Sequence, residues 1–330
     1  MKEALYYKTL ENNKVQCTLC PHNCIIKNSS TGICRVRKNV DGKLYTLNYG
    51  EITAIANDPI EKKPLFHFHP GENIISIGTW GCNFRCKFCQ NFEISQEPPW
   101  KIYKLTPQDI LNLLLENHAK MLAFTYSEPN IWYEFVLDTA KLVKKHGIKT
   151  VMVTNGYISE KPLMELLPYI DAMNIDLKGF NNEFYAKIIG GKKEPVMNTI
   201  KLAYNFISDV EITTLIVTEG NDDEREFTEL VKWISSISKN IPLHISRYYP
   251  VYKYNKPPTP IETLKKFYEI ARKHLNFVYL GNVRDKQYES TYCPYCKTML
   301  IKREGYNIEI LNVDEKGRCK NCLKKIPIIF

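Results

Sequence analysis

The stretch IISIGTWGCNFRCKFCQN, residues 74–91, decides how this chain is read. Its first seven residues form an apolar, β-branched run of strand length, and a loop carrying Cys82, Cys86 and Cys89 follows directly. Spacings of three and then two residues wrap one compact loop around a small cube. Three thiolates bind three irons of a 4Fe–4S cluster and leave the fourth open to a small molecule, whereas an electron-transfer cluster takes four cysteines. Trp80, Phe84, Phe88 and Phe92 are expected to shield such a cluster. The competing reading is a zinc site whose missing ligand comes from His67 or His69.

Working outward, six further runs have strand character: residues 121–127, 150–155, 172–178, 211–217, 243–249 and 277–281. Helical patterns lie between most of them. Thr106-Pro107 opens one as cap and first-turn proline, and Thr259-Pro260 is read the same way before IETLKKFYEIARKH. Residues 130–145 and 223–237 carry apolar side chains at three and four spacing. Alternating strands and helices predict an α/β fold with a parallel sheet and right-handed crossovers, a partial or full (β/α) barrel. Chemistry in such a barrel sits at the C-terminal ends of the strands. The expected organisation is a Cys-rich metal-binding module at 1–50, the barrel at 51–290 and a zinc-ribbon-like module at 291–330.

Composition narrows the class. With 44% hydrophobic and 25% charged residues the chain reads as a soluble globular protein. No run approaches the roughly 18 apolar residues of a membrane span. The opening MKEALYYKTLENNK lacks a signal peptide's apolar core, so a cytoplasmic protein is expected. The formal charge of +9 falls to roughly +4 once two four-thiolate sites and one three-thiolate cluster are counted at about −2, −2 and −1. A nucleic-acid partner is therefore not expected, although a basic face suits an acidic electron donor such as ferredoxin or flavodoxin.

The 11 cysteines fall into groups of four, three and four with none left over. In a reducing compartment that pattern means metal, not disulfides. Cys293, Cys296, Cys319 and Cys322 form two knuckles like those of a zinc ribbon, with iron as the alternative. Cys17, Cys20, Cys24 and Cys34 are less diagnostic, with His22 as a rival ligand. Zinc is the first choice there, because so small a module needs metal to fold, and an auxiliary iron–sulfur cluster is the second.

The segments CTLCPHNC, GICRVR, DPIEKKPLFHFHPG, GCNFRCKFCQNFEISQ, FTYSEP, VTNGY, NIDLKGF and HISRYYP cover nearly the whole chain. Together they resemble the radical S-adenosylmethionine (SAM) superfamily, its pyruvate formate-lyase-activating-enzyme-like branch, and within it the radical enzymes of the AmmeMemoRadiSam system. The resemblance implies reductive cleavage of SAM to methionine and a 5′-deoxyadenosyl radical that abstracts hydrogen. It also implies that Glu128 meets the methionine amino group and that Lys178, beside Asp176, meets the carboxylate. Thr154 and Asn155 are placed in the ribose pocket, and Arg247, with Ser246 and Tyr248, faces the ribose or a substrate anion. The bland alternatives are a helix-start carboxylate for Glu128 and a barrel-top ion pair for Asp176 and Lys178. Lys62, Lys63, His67 and His69 lie in the loop before the first strand, and the two His at alternate positions are read chiefly as surface or packed residues, with metal or substrate binding as the alternative.

Two enzymatic readings follow. One is action on a small molecule, lipid or nucleotide beside the companion proteins of that system. The other is an activase that abstracts hydrogen from a glycine of a protein partner. A zinc-organised binding protein is the non-enzymatic reading.

Overall fold

The computed structural model describes residues 1–283 and 285–330. Seven parallel strands run side by side in chain order: β1 (Asn73–Gly78), β2 (Met121–Phe124), β3 (Lys149–Thr154), β4 (Ala172–Asp176), β5 (Asp209–Ile216), β6 (Leu243–Arg247) and β7 (Val278–Gly281). They coincide with the seven runs read from the sequence. The strand Ala54–Pro59 adds an antiparallel edge along β1. Among the described residues β7 and this outer strand do not pair, so the barrel is partial. Strands such as DVEITTLI of β5 are buried on both faces, as parallel strands sandwiched by helices must be.

The crossovers are α1 (Pro107–Glu116), α2 (Tyr133–Lys144), α3 (Glu160–Leu166), α4 (Lys193–Tyr204), α5 (Glu224–Ile237) and α6 (Ile261–Arg272). Thr106 caps α1 in a reciprocal capping box with Asp109, and Asp223 caps α5 by accepting from the Glu226 amide at 2.8 Å. The expected cap of α6 is not made. Thr259 is fully buried and donates its hydroxyl to the Ile216 carbonyl at 2.6 Å, so Pro260 holds the cap position of α6 and gives no side-chain cap. Tertiary packing at the end of β5 outbids the local cap. The helices α3 and α4 were not picked out by periodicity; α4 buries Val196, Thr199, Ile200 and Ala203 on one face.

Segment 60–69 closes the N-terminal end of the barrel. Its Phe66 and His67 amides donate to Glu211 at 2.6 and 2.7 Å, and Asn174 of β4 donates to the Pro64 carbonyl at 2.7 Å. Beneath it lies the three-stranded sheet of Thr291–Tyr292, Met299–Glu304 and Asn307–Ile310. Arg303 from this sheet is fully buried against Glu61 at 3.6 Å and the Phe66 carbonyl at 2.7 Å. Ile329 of the apolar tail bridges Phe68, so the tail packs on the same floor. The first 50 residues carry two small antiparallel sheets and lie against α2, where buried Arg37 pairs with Glu134.

Candidate functional site

At the opposite end, where β1 to β6 finish, a cavity of about 380 Å³ opens. Cys82, Cys86 and Cys89 line it together with Glu128, Thr154, Asn155, Asp176 and Lys178. The cysteine loop is held from both sides. Gly81 has φ +87°, and a Cβ there would lie 2.6 Å from Val36 Cγ1 and 2.8 Å from the Cys34 carbonyl, so only glycine fits. Phe84 and Phe88 line the cavity, while Trp80 donates to Glu51 at 2.7 Å and Phe92 stacks on Tyr252. Two of the four expected aromatic shields therefore face elsewhere.

The thiols sit in an environment hostile to free thiolates. Burial pushes Cys86 up to about 12, with Lys178 opposing, and pushes Cys82 well above the usual thiol range, helped by Glu128. Thiolates persist here only when a metal's charge compensates for lost hydration. Three thiols line one wall of the cavity, and no fourth cysteine is among its described lining residues. The donor set therefore fits an iron–sulfur cube. His67 and His69, the rival fourth ligands, lie at the barrel floor, where His67 contacts Tyr279 and the Pro327 carbonyl.

Glu128 is 2% exposed and accepts three hydrogen bonds. The Asn130 amide (2.9 Å) and Thr154 hydroxyl (2.6 Å) reach Oε1, and the Asn155 amide (2.8 Å) reaches Oε2. Burial still raises its carboxyl to about 7, because those bonds only partly replace lost hydration. Among the described residues no cationic side chain pairs with it. The neighbouring Ser127 hydroxyl is buried without a partner among the described residues. Asn155 also donates to Asn83 at 2.8 Å and approaches Cys82 Sγ at 3.7 Å, so its amide ties β3 to the cysteine loop.

Asp176 and Lys178 pair at 2.9 Å on the cavity wall. Burial opposes the Lys178 charge, but facing Asp176 and Cys86 raise its pKa overall. Arg247 does not line the cavity. Its Nε donates to the Thr259 carbonyl at 2.7 Å and its Nη1 to Tyr249 at 3.0 Å, and Ser246 takes the lumen position. Side chains alternate along a strand, so Ser246 shares the inward face of β6 with His244 and Arg247 does not. Sequence reasoning named Ser246 only beside Arg247, and it passed over Asn83 and the lumen position of Lys62 and Lys63. Both lysines lie on the cavity wall, where their ammonium groups meet Asp58 at 3.0 and 2.8 Å. Tyr126 donates to the same carboxylate at 2.8 Å.

The C-terminal quartet is closed: Cys293 and Cys322 lie 3.6 Å apart, Cys296 and Cys319 3.7 Å, and all four sulfurs fall within 4.8 Å. Tetrahedral zinc at about 2.3 Å from each sulfur requires sulfurs about 3.8 Å apart. The N-terminal four line a separate small cavity with Leu19, Ile26, Ile33 and Ile131.

Residues 76–234, which span β1 to α5 and include the cysteine loop, match the model of the Radical SAM superfamily. An uncharacterised protein of Methanocaldococcus jannaschii is 44% identical over 336 residues, covering 100% of both chains. This chain belongs to the radical SAM superfamily. Pyruvate formate-lyase-activating enzyme of Clostridium pasteurianum is 27% identical over 168 residues, 48% of this chain and 69% of that enzyme. Among solved structures, SuiB of Streptococcus suis bound to S-adenosylmethionine superposes with a TM-score of 0.50 at 16% identity. That match covers 61% of this chain and 48% of SuiB, and it shows the shared fold. The radical SAM chain is thus an enzyme of the 4Fe–4S and SAM type. Among the described residues no helix is long and apolar enough to cross a membrane.

Proposed function

We propose that this radical SAM enzyme abstracts hydrogen from a small anionic molecule bound in the barrel lumen. The carrying observation is the closed floor: Lys62, Lys63 and Pro64 line the cavity, and the last sheet seals the barrel beneath them. Two ammonium groups share the one carboxylate of Asp58 there, which leaves a net positive charge facing the lumen. Lys63 is 2% exposed, so its charge is poorly solvated and favours an anion.

When bound, the cluster supplies the electron that splits SAM into methionine and a 5′-deoxyadenosyl radical. Cys82, Cys86 and Cys89 hold it, in a loop fixed by Gly81 and Asn155. Glu128 receives the methionine ammonium, and Thr154 and Asn155, which hold its carboxylate, line the cavity on the ribose side. Lys178, steered by Asp176, receives the methionine carboxylate. Ser246 stands where Arg247 was expected at the end of β6. The protein works in the cytoplasm with a one-electron donor of the ferredoxin or flavodoxin class and companion proteins of the AmmeMemoRadiSam system. It is organised as the module at 1–50, the barrel at 51–290 and the ribbon at 291–330.

The activase reading draws on the C. pasteurianum relative, and one experiment separates the two. Anaerobic enzyme with reductant and SAM is given a deuterated cell extract split by dialysis. Deuterium reaches 5′-deoxyadenosine from the diffusible fraction if the substrate is small, and from the retained fraction if it is a protein. The variant Lys62→Met leaves the Lys63–Asp58 pair in place and cancels the net floor charge without orphaning a carboxylate. It should keep SAM cleavage but lose about tenfold or more in deuterium transfer, the worth of one charge-assisted hydrogen bond. Undiminished transfer refutes the anionic substrate.

A further inference from the structure

Lys63 is one cation more than the barrel floor needs. Asp58 already meets the Lys62 ammonium at 3.0 Å and the Tyr126 hydroxyl at 2.8 Å, yet Lys63 joins it at 2.8 Å. One ammonium neutralises a carboxylate, and burying a second away from water costs free energy. Lys63 is nonetheless buried, and it forms part of the lumen wall. Its backbone is fixed on both sides. The Lys63 amide donates to the Ile60 carbonyl at 2.8 Å, and Asn174 of β4 donates to the Pro64 carbonyl at 2.7 Å.

Tyr126 is held beside it against a local cost. Its φ of +69° lies in the left-handed region, which favours glycine. Strain of that kind persists where the surrounding structure needs the side chain in that place. The end of β1 leaves room for the ring: a Cβ on Gly78 would lie 2.9 Å from Tyr126 Cδ2 and 2.8 Å from the Thr125 carbonyl. The phenol reaches the same Asp58 oxygen as Lys63, and the Lys63 ammonium sits 4.8 Å from the ring centroid. Burial works against the Asp58 charge, but Lys63, Lys62 and Tyr126 hold its carboxyl at about 2, so it stays ionised. Burial pushes the Lys63 ammonium down, with Asp58 opposing and Lys62 adding to the fall. A lysine desolvated beside a second cation is one whose free amine is within reach as a nucleophile.

We propose that Lys63 is a nucleophile that captures a small carbonyl compound in the lumen as a protonated imine. The ligand class is an aldehyde or ketone that also carries an anionic group, with the Lys62 ammonium as that group's counter-ion. Nζ gives up one proton and bonds to the carbonyl carbon while the C=O π pair moves onto oxygen. That oxygen leaves as water with this proton and a second one from nitrogen. An ammonium and a carbonyl thus become an iminium and water, with charge conserved and no oxidant or reductant consumed. The Tyr126 hydroxyl is placed to carry protons between nitrogen and the departing oxygen, and Asp58 remains the counter-ion of the iminium. The imine keeps the substrate in the lumen through hydrogen abstraction, and its hydrolysis releases the product. This rests on the small anionic substrate only for the choice among carbonyl compounds; the nucleophile stands on Lys63, Asp58 and Tyr126.

The test is reductive trapping on the full-length anaerobic protein. Glyoxylate, pyruvate and the uncharged glycolaldehyde are each incubated with it, cyanoborohydride is added, and the digested peptides are read by mass spectrometry. With glyoxylate and pyruvate the reduced adduct should fall on Lys63 ahead of every other lysine. Lys63→Arg, which keeps the charge but not the amine, should lose it. No adduct at Lys63 in wild type, or one no stronger than at exposed lysines such as Lys101, overturns the nucleophile whatever the folding of the variant, and leaves the anionic lumen standing. Glycolaldehyde trapped on Lys63 as readily as glyoxylate would instead keep the nucleophile and sink the anion preference on which the choice of substrate rests.

Discussion

Glu128→Gln separates a structural carboxylate from one that binds SAM. The native side chain takes two donors on Oε1 and one on Oε2, from Asn130, Thr154 and Asn155. Glutamine has one acceptor oxygen, and with it on the two-donor side its NH₂ meets the Asn155 N–H. A buried donor left unpaired costs about 1–3 kcal/mol. At about 2.1 cal/mol/K of unfolding entropy per residue, each kcal/mol lowers the Tm of 330 residues by about 1.4 °C, so a fall of roughly 1–4 °C is expected. The lost charge acts on binding separately. A hydrogen bond to a charged group contributes about 1.5–3 kcal/mol. At about 1.4 kcal/mol per tenfold, Kd for SAM should rise about 12- to 140-fold. Equilibrium dialysis of labelled SAM against anaerobic protein with matched iron content reads the affinity, and a melt reads the stability. A lowered Tm with Kd unchanged within about twofold, far short of that loss, would refute the ammonium role and leave Glu128 a buried anchor for β3.

Two further outcomes follow from the barrel floor. Cys293→Ala opens the closed quartet and should remove one zinc per chain and lower Tm, while SAM cleavage per intact cluster stays at the wild-type value; its loss at unchanged iron content would contradict the purely structural role. His67 is buried and pushed down to about 3, chiefly by burial and then by Arg303. The unfolded chain takes up that proton near pH 6.5, so the stability is whole above 6.5 and drains as pH falls, by about 2 kcal/mol down to pH 5. His67→Gln should flatten the acid limb of urea unfolding by that amount, and parallel limbs for variant and wild type would show that His67 does not drive it.

Much of the fold was legible because parallel strands buried on both faces are written as unbroken apolar runs, and all seven could be read directly. The site was legible wherever chemistry was spelled by residue type at a strand end, as with Cys82, Glu128 and Lys178. It was lost where tertiary contacts outvote local pattern. Thr259 has the sequence of a helix cap, but the Ile216 carbonyl claims its hydroxyl. Arg247 has the chemistry of an anion ligand, but strand alternation sends Ser246 into the lumen instead. Strand parity was the available signal, and counting inward from His244 would have found it. Lys62 and Lys63 looked like loop charges because nothing local says that segment 60–69 folds back into the barrel. That information resides in Glu211 and Asn174, roughly 110 to 150 residues away, whose side chains hold the segment's backbone.

The same principle governs the cysteines. A C-x2-C pair occurs in all three sets, so spacing by itself assigns none of them. What differs is the scaffold behind each pair. Near the C-terminus, tight knuckles face each other across one short sheet, and the sulfurs close to ion distance. In the N-terminal module Cys34 arrives from a separate segment and joins Cys17, Cys20 and Cys24 around one small apolar cavity. In the barrel loop only three sulfurs face a cavity that continues to Glu128 and Lys178, and the fourth position is left to a ligand from solvent. Packing, not spacing along the chain, thus sets what each group of thiols faces. The quartet at the floor is clamped, the N-terminal quartet meets the cysteine loop across Asn83, and the barrel thiols face the large cavity.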